Sequence, residues 1–160
     1  MKSLIVLVSY HHNNTQKIAE VLAKVLNAQA KTPEQIKPDE LQQYDLIGFG
    51  SGIYASRHHK TLRRFVDELP TVSNKKAFIF STCSNTKNAP KYHSVLREKL
   101  QSKGYTIVGE FNCAGFITWG PYKLVGGLKK GRPNAEDLKL AEEFAKNLKL
   151  NSKRCEPTCH

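Results

Sequence analysis

A doubly wound α/β sheet, covered by helices on both faces, is the fold class this sequence predicts. Three observations predict it. Strand-like and helix-like segments alternate from one end of the 160 residues to the other. Several strand-like runs are continuously apolar, as strands buried on both faces must be. The segments between them are long enough for the right-handed crossovers that parallel neighbours require.

Leu4, Ile5, Val6, Leu7 and Val8 form the first apolar run. Ile18, Val21, Leu22, Val25 and Leu26 follow at the spacing of one helix face. Residues 27–31 read as a short edge strand, and residues 33–43 as a loop with a helical turn starting at Pro38-Asp39. "YDLIGFGSG" (44–52) is the next buried strand, and Leu62, Phe65, Val66 and Leu69 repeat a helix face until Pro70. "KAFIFST" (76–82) is a strand. Tyr92, Val95, Leu96 and Leu100 mark a helix that Gly104 ends. "YTIVGEF" (105–111) alternates in part, which suits an edge, and a long loop (112–133) leads to the last helix. There Asn134 is placed to cap, Asp137 falls at the third helical position, and Leu138, Ala141, Ala145 and Leu148 form the buried stripe. Residues 1–150 are expected to make one domain, followed by a flexible polar tail, 151–160.

Composition narrows the function classes. No stretch approaches the ~18 apolar residues of a spanning helix, and the N-terminal run reads as a strand, without the cleavage site of a leader. Four cysteines are too few for a disulfide scaffold, so a reduced, cytoplasmic setting is expected. The 25 Lys and Arg against 14 Asp and Glu give a net charge of +11. Such charge suits nucleic acid, an anionic surface, an acidic protein or a phosphorylated ligand. Nucleic acid is disfavoured, because the basic residues lie on loops with few interleaved aromatics and no known motif.

The chemically loaded loops all follow strands: 9–15, 51–59, 82–92 and 112–133. In an open α/β sheet these meet at the carboxyl edge, where ligands bind. The first carries Ser9, His11, His12, Asn13, Asn14 and Thr15 before a helix. Unpaired amides and the positive dipole end of a helix favour an anion, and hydroxyl and amide side chains add donors. A phosphate there and an ordinary helix cap both account for these residues. The loop has neither G-x-x-x-x-G-K-[ST] nor G-x-G-x-x-G, which argues against an NTPase and against a Rossmann dinucleotide site.

The chain resembles the flavodoxins and flavodoxin-like proteins. Their phosphate loop, [ST]-x-[ST]-G-x-T, aligns here with His12 at the middle hydroxyl, Asn13 at the glycine and Thr15 at the final threonine, with Ser9 starting a loop one residue longer. "DLIGFGSGIY", "FSTCSN" and "GRPNAEDLKLAEEFAKNL" continue the resemblance over nearly the whole chain. It implies a three-layer sandwich with a five-stranded parallel sheet in the order 2-1-3-4-5. It also implies FMN, bound non-covalently, as cofactor. The phosphate would lie in the first loop. Ser51, Gly52, Ile53, Tyr54 and Ala55 would flank the flavin, with Gly52 free to let its peptide flip and Tyr54 stacking on the ring. Packing of Tyr54 on its own surroundings is the alternative. Thr82, Cys83, Ser84 and Asn85 would face the pyrimidine end.

Other groups are weaker signals. His11-His12 and His58-His59 point apart as neighbours, and "CEPTCH" lacks a fourth ligand, so no metal site is expected. Cys113 reads as a small buried residue. The loop with Trp119 is either a lid beside the flavin or a packed surface loop. Arg57, Lys60, Arg63 and Arg64 form one basic cluster, and Lys123, Lys129, Lys130 and Arg132 another. Flavodoxins are typically acidic, so a less reducing flavin is expected here. The leading expectation is an FMN electron-transfer protein whose basic face docks an acidic redox partner. The alternative is a flavodoxin-like FMN-dependent oxidoreductase, a NAD(P)H/quinone reductase or one like the protoporphyrinogen oxidases, acting on a phosphorylated or acidic small molecule.

Overall fold

The computed structural model describes residues 1–10, 12–116, 118 and 124–154. Five parallel strands make the sheet: β1 (Ser3–Val8), β2 (Gln29–Lys31), β3 (Leu46–Tyr54), β5 (Lys75–Cys83) and β6 (Tyr105–Ala114). They run in the order β2-β1-β3-β5-β6, the predicted order, and the two-residue β4 (Arg57–His58) pairs back on β3 alone.

Every residue of β1 is buried, because alternate side chains enter two separate cores. Leu4, Val6 and Val8 pack with Phe49, Ile79 and the helices α2 (Lys60–Asp67) and α3 (Ala89–Ser102) through Leu62, Val66 and Leu96. Ile5 and Leu7 pack with Phe78, Phe80 and the helices α1 (Asn14–Leu26) and α4 (Ala135–Arg154) through Ile18, Leu22, Ala141 and Leu148. The result is the three-layer sandwich.

The alternating glycines of "IGFGSG" have a packing reason. Gly48 and Gly50 stand directly across the ladder from Phe78 and Phe80. A Cβ on either would lie 2.2 Å from the ring of its partner, so glycine here is the floor on which a buried aromatic ring lies.

Four boundaries differ from the sequence reading. Residues 33–43 hold two short 3₁₀ helices, Pro33–Gln35 and Pro38–Gln43. The expected loop 51–59 begins as strand and folds back through β4. β6 continues to Ala114, because residues up to that point pair with β5. α4 reaches Arg154, so the first residues of the expected tail are helical, while Cys155 and Cys159 lie outside the described residues. The cap of α4 is as predicted: Asp137 N–H donates to Asn134 Oδ1 at 3.0 Å, and Asn134 N–H donates to Asp137 Oδ2 at 2.9 Å.

Candidate functional site

A cleft opens at the carboxyl ends of β1, β3 and β5, where the strand order reverses. Its cavity volume is about 40 Å³. It is therefore a narrow slot. Ser9, Tyr10, Asn14 and Thr15 line it from the first loop, Gly52, Ile53 and Tyr54 from β3, and Thr82 and Cys83 from β5. Gly115 and Phe116 close the remaining side.

The first loop turns without glycine. His12 and Asn13 take left-handed backbone angles, φ 52° and 51°, and the helix starts at Asn14. Its first backbone bond runs from Lys17 N–H to Asn13 O at 3.0 Å. The N-cap residue, Asn13, makes no side-chain cap bond, and Ser9 Oγ instead accepts from Gln16 N–H in the first turn at 3.3 Å. The amides of Asn14 and Thr15 precede the first helical bond and have no partner within the helix. Thr15 is buried on the cleft wall, 3.0 Å from the Thr82 hydroxyl. One hydrogen suffices for that bond, which leaves one of the two hydroxyls free to donate elsewhere.

Asn14 is the most informative side chain. Its Nδ2 donates to Phe116 O at 2.8 Å, and since a carbonyl only accepts, the amide orientation is fixed. Its Oδ1 is then a buried acceptor without a hydrogen-bond partner. Gly115 is required beside it, because a Cβ there would stand 2.9 Å from Asn14 Nδ2.

Tyr54 is half-buried, and its ring lies over Gly52, where a Cβ would be 3.1 Å away. It meets His59 edge-on at 5.3 Å between centroids, and the exposed Tyr10 meets the same imidazole at 4.9 Å. Burial, then the neighbouring Tyr10, pushes the Tyr54 phenol up from its ordinary value. Gly52 pairs regularly with Thr82 inside β3. The turn itself is made by Ala55 and Ser56, at φ 47° and 62°. A peptide flip at Gly52 would therefore break ladder pairing, and the non-glycine turn residues carry the unfavourable angles instead.

The other predicted residues among those described sit around the cleft rather than in it. Ser51 is fully buried beneath it, donating to Gly52 O at 2.7 Å and accepting from His59 N–H at 2.9 Å. His12 turns to the rim, with Nε2 2.7 Å from Thr118 Oγ1 and its ring 4.4 Å from Phe116. Ser84 and Asn85 are exposed past the end of β5, where Asn85 accepts from Lys87 N–H. Ala55 is exposed on the hairpin turn. His11, Trp119 and Lys123 lie outside the described residues. Burial pushes the Cys83 thiol up to about 11 and the Cys113 thiol up to about 12, so both stay protonated at neutral pH.

Tyr10, Gly115 and Phe116 also line the cleft; they lie in the loops 9–15 and 112–133 expected at this edge but were not named among the site residues. The signal was available for the last two: they follow the strand that neighbours β5, and the carboxyl end of every such strand contributes to the edge. Among the described lining residues there is no charged side chain. Positive potential comes from the start of α1 and from Arg57 and Lys60, exposed outside the cleft.

A family model described as a flavodoxin domain matches residues 5–124. The chain belongs to the flavodoxin family. This flavodoxin-family protein is 50% identical over 151 residues to an uncharacterized protein of Methanocaldococcus jannaschii, covering 94% of this chain and 100% of that one. Its fold is similar to that of a flavodoxin from the domain Archaea, with a TM-score of 0.70 at 17% identity, over 96% of this chain and 99% of the other. It is also similar to oxidised Flavodoxin 2 from Bacillus cereus, with a TM-score of 0.70 at 20% identity, over 94% and 99% of the two chains. No helix among the described residues is long and apolar enough to cross a membrane.

Proposed function

We propose that the cleft binds FMN and that the protein carries electrons to an acidic redox partner. The observation that carries this reading is the pairing of two opposite hydrogen-bonding demands at the start of α1. The free amides of Asn14 and Thr15, with a hydroxyl of the Thr15–Thr82 pair, suit a phosphate. Asn14 Oδ1, an orphaned buried acceptor, would repel a phosphate oxygen and suits a donor such as a ribityl hydroxyl. A sugar-alcohol phosphate answers both, and the slot beyond, walled by Tyr54 and Ile53, suits a flat ring. The donors and acceptors present therefore fit FMN.

Bound FMN would supply the redox chemistry, accepting and passing on electrons. The chain's own part is to hold and shield it. Ser9, Asn14 and Thr15 would fix the phosphate end, and Gly52, Ile53, Tyr54, Thr82 and Cys83 would border the ring. Among the described residues the lining offers hydroxyls, amides and a protonated thiol, and no carboxylate or imidazole. That favours a carrier over an enzyme. Exposed Arg57, Lys60 and Arg64 beside the hairpin give the docking face its charge.

Fluorescence titration with FMN and riboflavin tests the phosphate assignment. FMN is expected to bind more tightly than riboflavin. Thr15→Val is expected to weaken FMN by about 10- to 100-fold, the worth of one hydrogen bond to a charged group, and to leave riboflavin nearly unchanged. Equal affinities for the two flavins would remove the phosphate from the start of α1.

A further inference from the structure

We propose that His58, seated against His93, is the positioning residue that holds the hairpin wall of the cleft in place and releases it on protonation. The hairpin, residues 52–59, supplies Gly52, Ile53 and Tyr54 to the cleft. Its own hold is slight. β4 contributes two residues, pairing His58 with Ile53 and Arg57 with Tyr54. The turn places Ala55 and Ser56 at left-handed angles that cost each of them local stability. Ala55, Ser56 and Arg57 are exposed, and from 53 to 58 only His58 is buried, at 1% exposure. The His58 side chain is therefore the buried anchor of the hairpin, beside the hydrogen bonds from His59 N–H to Ser51 Oγ and from Arg63 Nε to His58 O and the ring contacts of His59 with Tyr54 and Tyr10.

The socket is built for a neutral ring. His58 Nε2 lies 3.3 Å from Phe80 O, so it is Nε2 that carries the hydrogen and donates. Nδ1 is a buried lone pair without a partner. The ring rests 5.0 Å from that of His93 on α3. His93 is itself fixed at both ends: Nδ1 donates to Glu110 Oε2 at 2.9 Å, and Nε2 accepts from Ser81 Oγ at 2.7 Å. Glu110 is held in turn by Arg97, at 2.5 Å and 2.9 Å.

A proton arriving on His58 has only Nδ1 to occupy, and there it would point a charged donor at no acceptor. The charged and titratable groups that bear on it are His93 on α3, Glu110 on β6 and Arg63 on α2, whose Nε donates to His58 O at 3.0 Å. Of these only Glu110 is favourable, and it lies behind His93 and already serves Arg97. Burial, then the neighbouring His93, accordingly pushes the His58 imidazole down to about 3. Opening the hairpin returns the ring to water, where its ordinary value is about 6.5. Acid therefore favours the open form, and the cleft loses the wall formed by Ile53 and Tyr54.

Amide hydrogen exchange by NMR on the protein without added ligand tests this, and its outcome is separate from that of the flavin titrations. The hairpin amides are expected to exchange through an opening far more frequent than the one exposing Leu4–Val8. That opening, corrected for intrinsic exchange rates, is expected to rise about 30-fold from pH 7.5 to pH 5.0. His58→Gln, which can still donate to Phe80 O but does not titrate, is expected to show no such rise, and His58→Phe serves as a second non-titrating variant. The proposal is overturned if the hairpin exchanges only at the rate of β1, or if the pH dependence persists in either variant.

Discussion

Between pH 6.5 and about 3 the closed protein will lose on the order of 5 kcal/mol of stability through His58 alone. The folded ring titrates near 3 because burial, and then His93 beside it, disfavour its charge, whereas the unfolded ring titrates near 6.5. In that window the unfolded chain binds the extra proton, so stability falls as pH falls. The slope is about 1.4 kcal/mol per pH unit, and above pH 6.5 the contribution is flat. The hairpin can take up the same proton by opening locally, so the first part of the loss emerges there and the remainder as global unfolding. His93 adds in the same direction. Its pKa is lowered by burial against the upward pull of Glu110. Glu110 follows at lower pH: burial pulls its carboxyl up, but the hydrogen bonds from Arg97 and His93 outweigh this and leave it below the usual range. Urea midpoints at pH 7.5, 6, 5 and 4 measure the effect. Wild type should lose stability steeply across the series, and His58→Phe should lose much less. Parallel curves for the two proteins would show that His58 is not the titrating group.

Gly50→Val will destabilise the fold by about 3 kcal/mol, the upper end of what overpacking a core usually costs. A Cβ at this position would lie 2.2, 2.3 and 2.4 Å from three atoms of the Phe80 ring. Phe80 is fully buried, with Phe78 at 6.1 Å on its own strand, and has nowhere to move. The ring must leave the core or the strands must part, and Gly50 is only two residues from the cleft. Combining Gly50→Val with Phe80→Ala should recover part of the loss, since the valine then fills space the ring has vacated. Chemical denaturation of the single and double variants reads this out. A loss below about 1 kcal/mol in the single variant would mean that the glycine is not a packing floor.

The same glycine shows what the sequence could and could not convey. Its alternation with Phe49 and Ser51 was visible, but the ring that requires it comes from Phe80, thirty residues later, through a register that no local pattern encodes. The layers were legible because Leu4–Val8 and residues 76–82 are apolar without a break, which only strands covered on both sides tolerate. The first loop was legible because hydroxyls and amides crowd a helix start. The hairpin was not: Tyr54-Ala55-Ser56-Arg57 lacks the Asn-Gly or Asp-Gly of a tight hairpin turn, and its geometry is held by a buried histidine instead. Nor was the chain Ser81–His93–Glu110–Arg97 legible, since its members lie far apart in sequence and meet only when α3 packs across β5 and β6. His12 illustrates the opposite case. Alignment placed it at a phosphate, whereas its side chain spans to Thr118 and ties the first loop to the segment after β6.

FMN is the ligand proposed for the slot beside Asn14 and Thr15. This is tested most directly by the visible spectrum of the purified protein after incubation with excess FMN and gel filtration. The prediction is that flavin bands near ~370 and ~450 nm travel with the protein at close to one FMN per chain. Protein that emerges colourless, with all the FMN in the later fractions, would contradict it.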